Sequence, residues 1–163
     1  MTEIDTTKKI KDISLPLISD SVLKEEIEIV LKLMEIAINE IEKKYEDNVI
    51  DPFAALFEKT IFDISDNNKW KKTEFQRQLQ KTLNNHIGKF HQNLMCSLID
   101  CKEPPEKGTD FICEKKYMYA EIKNKWNSTN FDSKAGSYDK LKKALSKNKK
   151  FKGYFVTIIP KNS

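Results

Sequence analysis

The sequence lacks the long apolar runs that would place it in a membrane. No stretch approaches the roughly 20 apolar residues of a spanning helix, and the N-terminus lacks the apolar core of a signal peptide. Cysteine is also scarce, and the three residues, Cys96, Cys101 and Cys113, have no metal-ligand spacing. We therefore expect a cytoplasmic protein with no membrane segment, whose cysteines are reduced thiols.

A strong charge of one sign is missing too. The net charge is only +4 over 163 residues, and Arg77 is the single arginine among the basic residues. This modest basic excess permits nucleic-acid binding without demonstrating it. Contacts to a phosphate backbone would depend mainly on lysine and would weaken steeply with salt. The length suits one domain with a sizeable core.

The most informative stretch is Gly108–Asn124, which reads GTDFICEKKYMYAEIKN. Two short runs that mix apolar with polar residues, Asp110–Glu114 and Tyr117–Asn124, flank Lys115 and Lys116, and this pattern predicts a β-hairpin. The turn has neither the glycine nor the asparagine that two-residue turns prefer. The predicted register therefore depends on symmetry about the two lysines.

A symmetric register places two acids side by side. Asp110 then lies directly opposite Glu121, where Cβ atoms are about 4.5–5.5 Å apart and like charges destabilise the pair. Lys123 follows on the same face, and the alternate apolar residues point into the core: Met118, Ala120 and Ile122. A divalent cation held between the carboxylates would explain the pair. The alternative is a surface hairpin whose Glu121 and Lys123 are ordinary solvated charges.

Helical spacing of apolar residues predicts three helices before the hairpin. The first runs from Ser21, with Ser21 or Asp20 as its N-cap, to about Tyr45. The second begins at Asp51-Pro52, and its apolar side consists of Phe53, Leu56, Phe57 and Ile61. The third opens with a capping box at Thr73–Gln76 and continues to about Leu98.

One more helix and a final strand follow the hairpin. The helix is predicted over about Ala135 to Lys147, and its inward side consists of Tyr138, Leu141, Ala144 and Leu145. The β-rich run Tyr154–Ile159 predicts a buried strand, and Ser97–Cys101 is a possible short first strand. The order predicts an α/β (α+β) protein, with a small mixed sheet flanked by helices. We treat 1–163 as a single domain, with a loose arm at 1–20, a helical N-terminal part at 21–72 and a core at 73–161.

Several polar residues outside the hairpin are further candidates for binding. The loop after it offers donors beside the acidic pair, as contacts to phosphate would need, from Asn124, Lys125, Asn127 and Ser128. The polar face of the third helix, including Asn85 and Gln92, could lie against phosphates, although such faces are usually solvated. His86 and His91 are five residues apart, which does not form a one-face metal pair, so each is structural or a DNA contact. Glu58 is a candidate metal ligand or a solvated helical glutamate.

The hairpin and its surroundings resemble a known family. Asp110, ten residues, and then Glu121-Ile122-Lys123 match the PD-(D/E)XK nuclease signature, with Thr109 where proline often stands. A wider string completes the resemblance: NVIDPFAALFEK, RQLQKTLNNHIGKFHQNL, AEIKNKWNSTN and GYFVTIIPK. Together these segments closely resemble the type II restriction endonucleases that recognise GGNCC, the Eco-forty-seven-two family.

This resemblance implies a restriction-endonuclease-like fold and Mg²⁺-dependent hydrolysis of double-stranded DNA, with Mn²⁺ as a substitute. It implies that Asp110 and Glu121 bind the metal, and that Lys123 orients or activates the attacking water. Glu58 and Gln92 are possible further contacts to the metal or its water. A palindromic site implies a homodimer. Family members continue beyond the last strand, so we expect this chain to be truncated relative to them.

Two other interpretations compete with a restriction enzyme. One is a catalytically impaired, truncated nuclease-fold protein that binds DNA or a partner without cleaving. The other is a helical interaction protein with an incidental charged hairpin, which predicts that Asp110 and Glu121 are not neighbours.

Overall fold

The computed structural model describes residues 15–105, 108–127 and 131–161. The elements run in the order α1 (Asp20–Asn39), α2 (Ile41–Glu46), α3 (Pro52–Ile61), α4 (Asn67–Cys96), β1 (Cys101–Lys102), β2 (Phe111–Cys113), β3 (Met118–Lys125), α5 (Phe131–Lys147) and β4 (Lys152–Ile159). Of the loose arm predicted at 1–20, residues 1–14 lie outside the described part. Among the helices that are described, none combines the length and apolarity needed to cross a membrane.

The chain divides into two compact units. Residues up to Glu28 and from Ile87 onward form the first unit, and Ile29–His86 forms the second. The boundary falls within α1 and within α4. The sheet belongs to the first unit, so the two units are described separately below.

The helices of the second unit differ from the prediction in where they begin and end. The predicted first helix is divided at Glu40, so that α2 is a separate short helix. α4 begins at Asn67 because Asp66 accepts a hydrogen bond from the Asn68 N–H (2.8 Å). Thr73 lies inside α4, where its hydroxyl donates to the Lys69 carbonyl (3.1 Å), so the predicted capping box is wrong.

The first helix of the chain also starts earlier than predicted. Ser19 Oγ accepts from the Val22 N–H (3.4 Å), and the Ser19 carbonyl accepts from the Leu23 N–H (3.0 Å). Ser19 is therefore the capping residue of α1, and neither Asp20 nor Ser21 has that role.

The start of α3 was predicted correctly. The predicted apolar side of this helix is largely exposed to solvent. Asp51 caps the helix by accepting from the N–H groups of Phe53 (2.8 Å) and Ala54 (3.4 Å), with Pro52 at the first turn. Its four apolar side chains remain exposed by 57–73%: Phe53, Leu56, Phe57 and Ile61. The core of the second unit is formed instead by Ala37, Ile41, Ile64 and Trp70.

A four-stranded sheet organises the first unit, in the order β1-β2-β3-β4. β1 and β2 pair antiparallel, β2 and β3 pair antiparallel, and β3 and β4 pair parallel. One face packs on the end of α4, through a core of Phe111, Cys113, Ala120 and Ile122 with Met95 and Cys96 against it. The predicted α/β class and small mixed sheet flanked by helices are confirmed.

The opposite face of the sheet carries α5. Gly153 on β4 lies so close to this helix that an added Cβ would stand 3.1 Å from Leu145 Cδ1 and 3.5 Å from Leu141 Cδ2. Tyr138 was predicted to face inward but is 66% exposed, whereas Ser137 is buried. Leu141 is buried and Ala144 and Leu145 are half-buried, as predicted for the inward side, so the prediction is wrong for Tyr138 alone.

β4 is an edge strand, whereas the sequence pattern predicted a buried one. It has β3 on one side only, and Tyr154, Phe155 and Ile159 are each exposed by 44–45%. Val156 and Ile158 pack against the core on the α4 side. Apolar residues on both faces of this strand explain the prediction, since a run without alternation is typical of a strand covered on both sides.

The prediction that all cysteines are reduced thiols is wrong for two of them. Cys101 and Cys113 are directly opposed on β1 and β2 and form a disulfide, with Cα atoms 4.2 Å apart. Cys96 is the free cysteine. Strand register brings the two together, and that register is not visible in cysteine spacing alone.

Candidate active site

The hairpin of β2 and β3 has the predicted register. Phe111 pairs with Ala120 and Cys113 pairs with Met118, which is the pairing symmetric about Lys115 and Lys116. Tyr117 takes the positive φ of 51° that glycine would usually supply, and its N–H donates to the Glu114 carbonyl (3.0 Å). The turn therefore closes without glycine.

Asp110 is fixed to the backbone of the strand that carries Glu121. Its N–H donates to the Ala120 carbonyl (2.9 Å), and its carboxylate Oδ2 accepts from the Ile122 N–H (2.6 Å). The two groups bonded to Asp110, the Ala120 carbonyl and the Ile122 N–H, belong to the residues directly before and after Glu121. One more step of the observed pairing brings Asp110 opposite Glu121, so the predicted neighbours are neighbours.

Glu121 is a fully buried acid, with none of its surface exposed. Burial raises the pKa of its carboxyl, and the charge of Asp110 raises it further, while Lys140 and Lys123 lower it. A carboxylate that is buried beside a second carboxylate is a strong point of attraction for a cation.

Lys140 on α5 is the ion-pair partner of Glu121, and the sequence analysis missed it. Its Nζ lies 3.3 Å from Glu121 Oε2 and 3.5 Å from Oε1, and its side chain is 49% exposed. The signal was available, since Lys140 is one helical turn before Ala144 and next to Leu141. If the orientation of α5 had been set by Leu141 and Leu145 without Tyr138, Lys140 would have been predicted to lie toward the sheet.

Lys123 lies two residues beyond Glu121 on β3 and is half-buried. Alternation along the strand puts both side chains on the face covered by α5, together with Tyr119. Its positive charge is one of the influences that lower the pKa of Glu121. Asp110, Glu121 and Lys123 are thus brought together, with Lys140 as a second cation.

Asn124 on β3 and His91 on α4 lie together on the side of the sheet that α4 covers. Glu121 is on the opposite side of the sheet. Among the described residues, His91 Nδ1 and Asn124 Oδ1 are buried without a hydrogen-bond partner. Burial lowers the pKa of His91, and the Asn124 amide partly offsets that shift. Both residues are half-buried, and their contact with DNA stays a prediction.

The remaining predicted site residues are spread over both units. Lys125 and Asn127 are exposed at the end of β3 and in the turn after it, and Ser128 lies outside the described residues. Gln92 is half-buried on α4 in the first unit. Glu58, half-buried on α3, and Asn85, exposed on α4, belong to the second unit. Glu58 acts electrostatically on Arg77 of the same unit.

The donor set of the hairpin fits Mg²⁺. Within residues 15–105, 108–127 and 131–161, no three His, Cys, Asp or Glu side chains converge on one point. Mg²⁺ does not require such a cage, because it is usually held by one or two carboxylates together with water and phosphate oxygens. Asp110 and Glu121 would supply those carboxylates, and a site poor in nitrogen and sulfur ligands disfavours zinc.

Comparison with known proteins gives a consistent result. A family profile described as Eco47II restriction endonuclease matches residues 15–163. The chain is 37% identical over 149 residues to "Type II restriction enzyme Eco47II" of Escherichia coli, a match covering 88% of this chain and 62% of that protein. It is 32% identical over 152 residues to "Type II restriction enzyme Sau96I" of Staphylococcus aureus, covering 91% of this chain and 58% of that protein.

The chain thus spans about three fifths of the length of the curated relatives it matches. No solved structure matches it. The profile match extends over most of the sequence and includes the whole hairpin with Asp110, Glu121 and Lys123. The chain therefore belongs to the Eco47II restriction endonuclease family.

Proposed function

We propose that this protein is a Mg²⁺-dependent, site-specific endonuclease of the PD-(D/E)XK type that hydrolyses double-stranded DNA as part of a restriction system. The observation that carries the proposal is the hairpin register, which sets Asp110 beside the fully buried Glu121 and puts Lys123 on the same face. Membership of the family supplies the substrate class.

Each group of the site has a chemical role in this proposal. Asp110 and Glu121 would hold the ion, and bound Mg²⁺ supplies Lewis-acid polarisation of the phosphate and a lowered pKa of water. Lys123 orients the attacking water and stabilises the negative charge that develops on the phosphate oxygens. The water oxygen bonds to phosphorus, the ester P–O bond breaks, and the leaving oxygen takes up a proton.

A GGNCC-like recognition site and a homodimer, which would match a two-fold symmetric site, belong to the same proposal.

Digestion of plasmid DNA tests the activity. We expect the purified protein with Mg²⁺ to cut a plasmid containing GGNCC sites into discrete fragments, and to leave unaltered a plasmid from which those sites are removed. Asp110→Ala, or excess EDTA, is expected to abolish cutting. Fragmentation by Asp110→Ala at the wild-type rate would show that a contaminant or another site is responsible.

A nuclease-fold protein that binds DNA without cleaving it is the second candidate. It is favoured by one observation: the ammonium of Lys140 already pairs with Glu121 (3.3 Å) and would compete with a metal ion for that carboxylate. A gel shift of the same DNA separates the candidates. Shifted but uncut DNA in the presence of Mg²⁺ favours the binding protein, and cut DNA favours the enzyme.

A further inference from the structure

A cleft of about 720 Å³ opens beside the candidate active site, within the first unit. Three lysines of α5 line one side of it, and the other side is formed by the segment before β2 and by β2 and β3. The lysines are Lys140, Lys143 and Lys147. Because Lys140 lines the cleft and is also the ion-pair partner of Glu121, the cleft adjoins the acidic pair.

The cleft attracts negative charge. Spacings of three and four residues put the three lysines on one side of the helix. Glu114 is the only acid among the described lining residues, and it already pairs with Lys102 (2.8 Å). The row from Lys140 to Lys147 covers about 10 Å of helix axis at roughly 1.5 Å per residue, a length comparable with about three phosphates at an axial spacing of roughly 3.4 Å per strand.

Much of the remaining lining is apolar and aromatic. The rings of Tyr119 and Phe151 are stacked with centroids 4.7 Å apart and planes inclined by 32°. Ile112, Pro104 and Pro105 continue this surface. Because the bases of a duplex stay stacked on one another, these apolar and aromatic side chains would contact the sugars of a strand whose phosphates lie on the lysines.

We propose that this cleft receives the DNA strand next to the scissile phosphate, with Lys143 and Lys147 on successive backbone phosphates. Lys140 lies where the cleft meets Glu121 and contacts the phosphate closest to the acidic pair. The inference rests on the proposed function and extends it, because it assigns to the strand a path along α5, which the sequence did not suggest. The ligand is the polyanionic strand itself, and the position of the cleft beside the acidic pair distinguishes it from a separate small-molecule site.

Charge reversal on α5 and in the turn directly after it tests the proposal without requiring cleavage. The test variant is Lys143→Glu/Lys147→Glu, and the matched control is Lys142→Glu/Lys149→Glu, which changes the net charge equally at exposed positions outside the cleft. Binding of a fluorescent duplex containing GGNCC is measured by anisotropy in Ca²⁺ over a range of salt concentrations. Circular dichroism and the melting temperature confirm that both variants are folded.

We expect the test variant to bind more weakly at low salt than the control. The slope of log affinity against log salt should fall by about 2, since each lost phosphate contact removes roughly 0.9. Equal affinities and equal slopes for the two variants would overturn the proposal, as would a wild-type protein that does not bind DNA. Phe151→Ala should weaken binding in the same assay without changing the salt slope, because an apolar contact to the sugars of the strand releases no counterions.

The outcome also separates this inference from the proposed function. A wild-type protein that never cuts, but whose binding depends on Lys143 and Lys147, would overturn the nuclease proposal and support the cleft. A wild-type protein that cuts, with the test variant binding and cutting like the control, would overturn the cleft alone.

Discussion

Among the described residues, two glutamates, Glu74 and Glu121, are fully buried, and their surroundings shift their pKa values in opposite directions. Arg77 donates two hydrogen bonds to Glu74 (2.7 and 2.6 Å), and these have the largest effect in lowering the pKa of the Glu74 carboxyl. Gln78 donates a third hydrogen bond to the same carboxylate. In the part of the chain that the structure describes, the one side chain bonded to Glu121 is the half-exposed Lys140 (3.3 Å), and the pKa of Glu121 is raised by burial and by Asp110. The first glutamate is satisfied, and the second is available to a cation.

Glu121→Gln should stabilise the metal-free protein at pH 8. A raised folded-state pKa means that the native state loses stability as pH rises above the ordinary value of 4.5 and through the folded pKa. Glutamine removes that loss, so we expect a gain over wild type at pH 8 and little difference at pH 4. Urea denaturation in EDTA measures it, and a gain larger at pH 4 than at pH 8 would contradict the assignment. Added Mg²⁺ should stabilise wild type and leave Glu121→Gln unchanged.

Glu74→Gln should have the opposite pH dependence. The pKa of Glu74 is lowered, so its contribution is present above the ordinary value of 4.5 and is lost as pH falls through the folded pKa. We expect a cost of about 1.5 kcal/mol at pH 7, near the low end for a charged hydrogen bond because Arg77 is half exposed. The cost should shrink below pH 4 in the same urea experiment, and a constant cost at every pH would argue against the ion pair.

Lys123→Ala should abolish cleavage while leaving metal binding intact. Loss of a group that stabilises developing charge typically lowers kcat by roughly 10²–10³. Single-turnover cleavage measures the first effect and calorimetric titration with Mn²⁺ the second. Lys116→Ala, in the exposed hairpin turn, is the control with the same change of charge. Cutting by Lys123→Ala at the normal rate would remove the lysine from the mechanism.

Among the elements of the sheet, β1 is the least supported by its own hydrogen bonds. It contains only two residues, and the Cys101–Cys113 disulfide ties it to β2 across a sequence separation of 12. β2 carries Phe111 and follows directly on Asp110, so this link also supports the strand next to the site. The stability of the edge formed by β1 and β2 therefore depends on whether Cys101 and Cys113 are oxidised or reduced.

Reduction should weaken the fold by a measurable amount. Opening a loop of this length is expected to cost about 3 kcal/mol of unfolding free energy. Thermal or urea unfolding with and without a phosphine reductant measures the loss. Cys96→Ser should respond to the reductant like wild type, and Cys101→Ser should not respond. An equal response from Cys101→Ser would show that another effect of the reductant is measured.

At the scale of the whole molecule, the proposed recognition of a two-fold symmetric site requires two copies of the hairpin. An isologous dimer presents both with the symmetry of the DNA. We expect sedimentation equilibrium to give twice the chain mass, either alone or with duplex DNA containing one GGNCC site. A single copy per duplex at saturating protein would contradict the homodimer and leave a monomeric enzyme that cuts one strand at a time.

Prediction from sequence succeeded where short-range chemistry was sufficient. The Asp51-Pro52 helix start needs only a capping oxygen and a proline, and both are local. The hairpin register also followed from neighbouring residues, even though Tyr117 had to supply the positive φ. Prediction failed for the capping role of Thr73, the inward position of Tyr138 and the burial of β4. Each of these depends on which other elements pack against the segment.

The sequence by itself determined that Asp110, Glu121 and Lys123 share one face once the turn is symmetric about Lys115 and Lys116, because side chains alternate along a strand. Only the tertiary structure decided which cation meets Glu121 and which cysteines pair. Lys140 reaches the buried acid because Leu141 and Leu145 settle on Gly153, and Cys101 meets Cys113 because β1 adds to the edge of β2. Both contacts join segments far apart in the chain, and their formation depends on packing that no local pattern records.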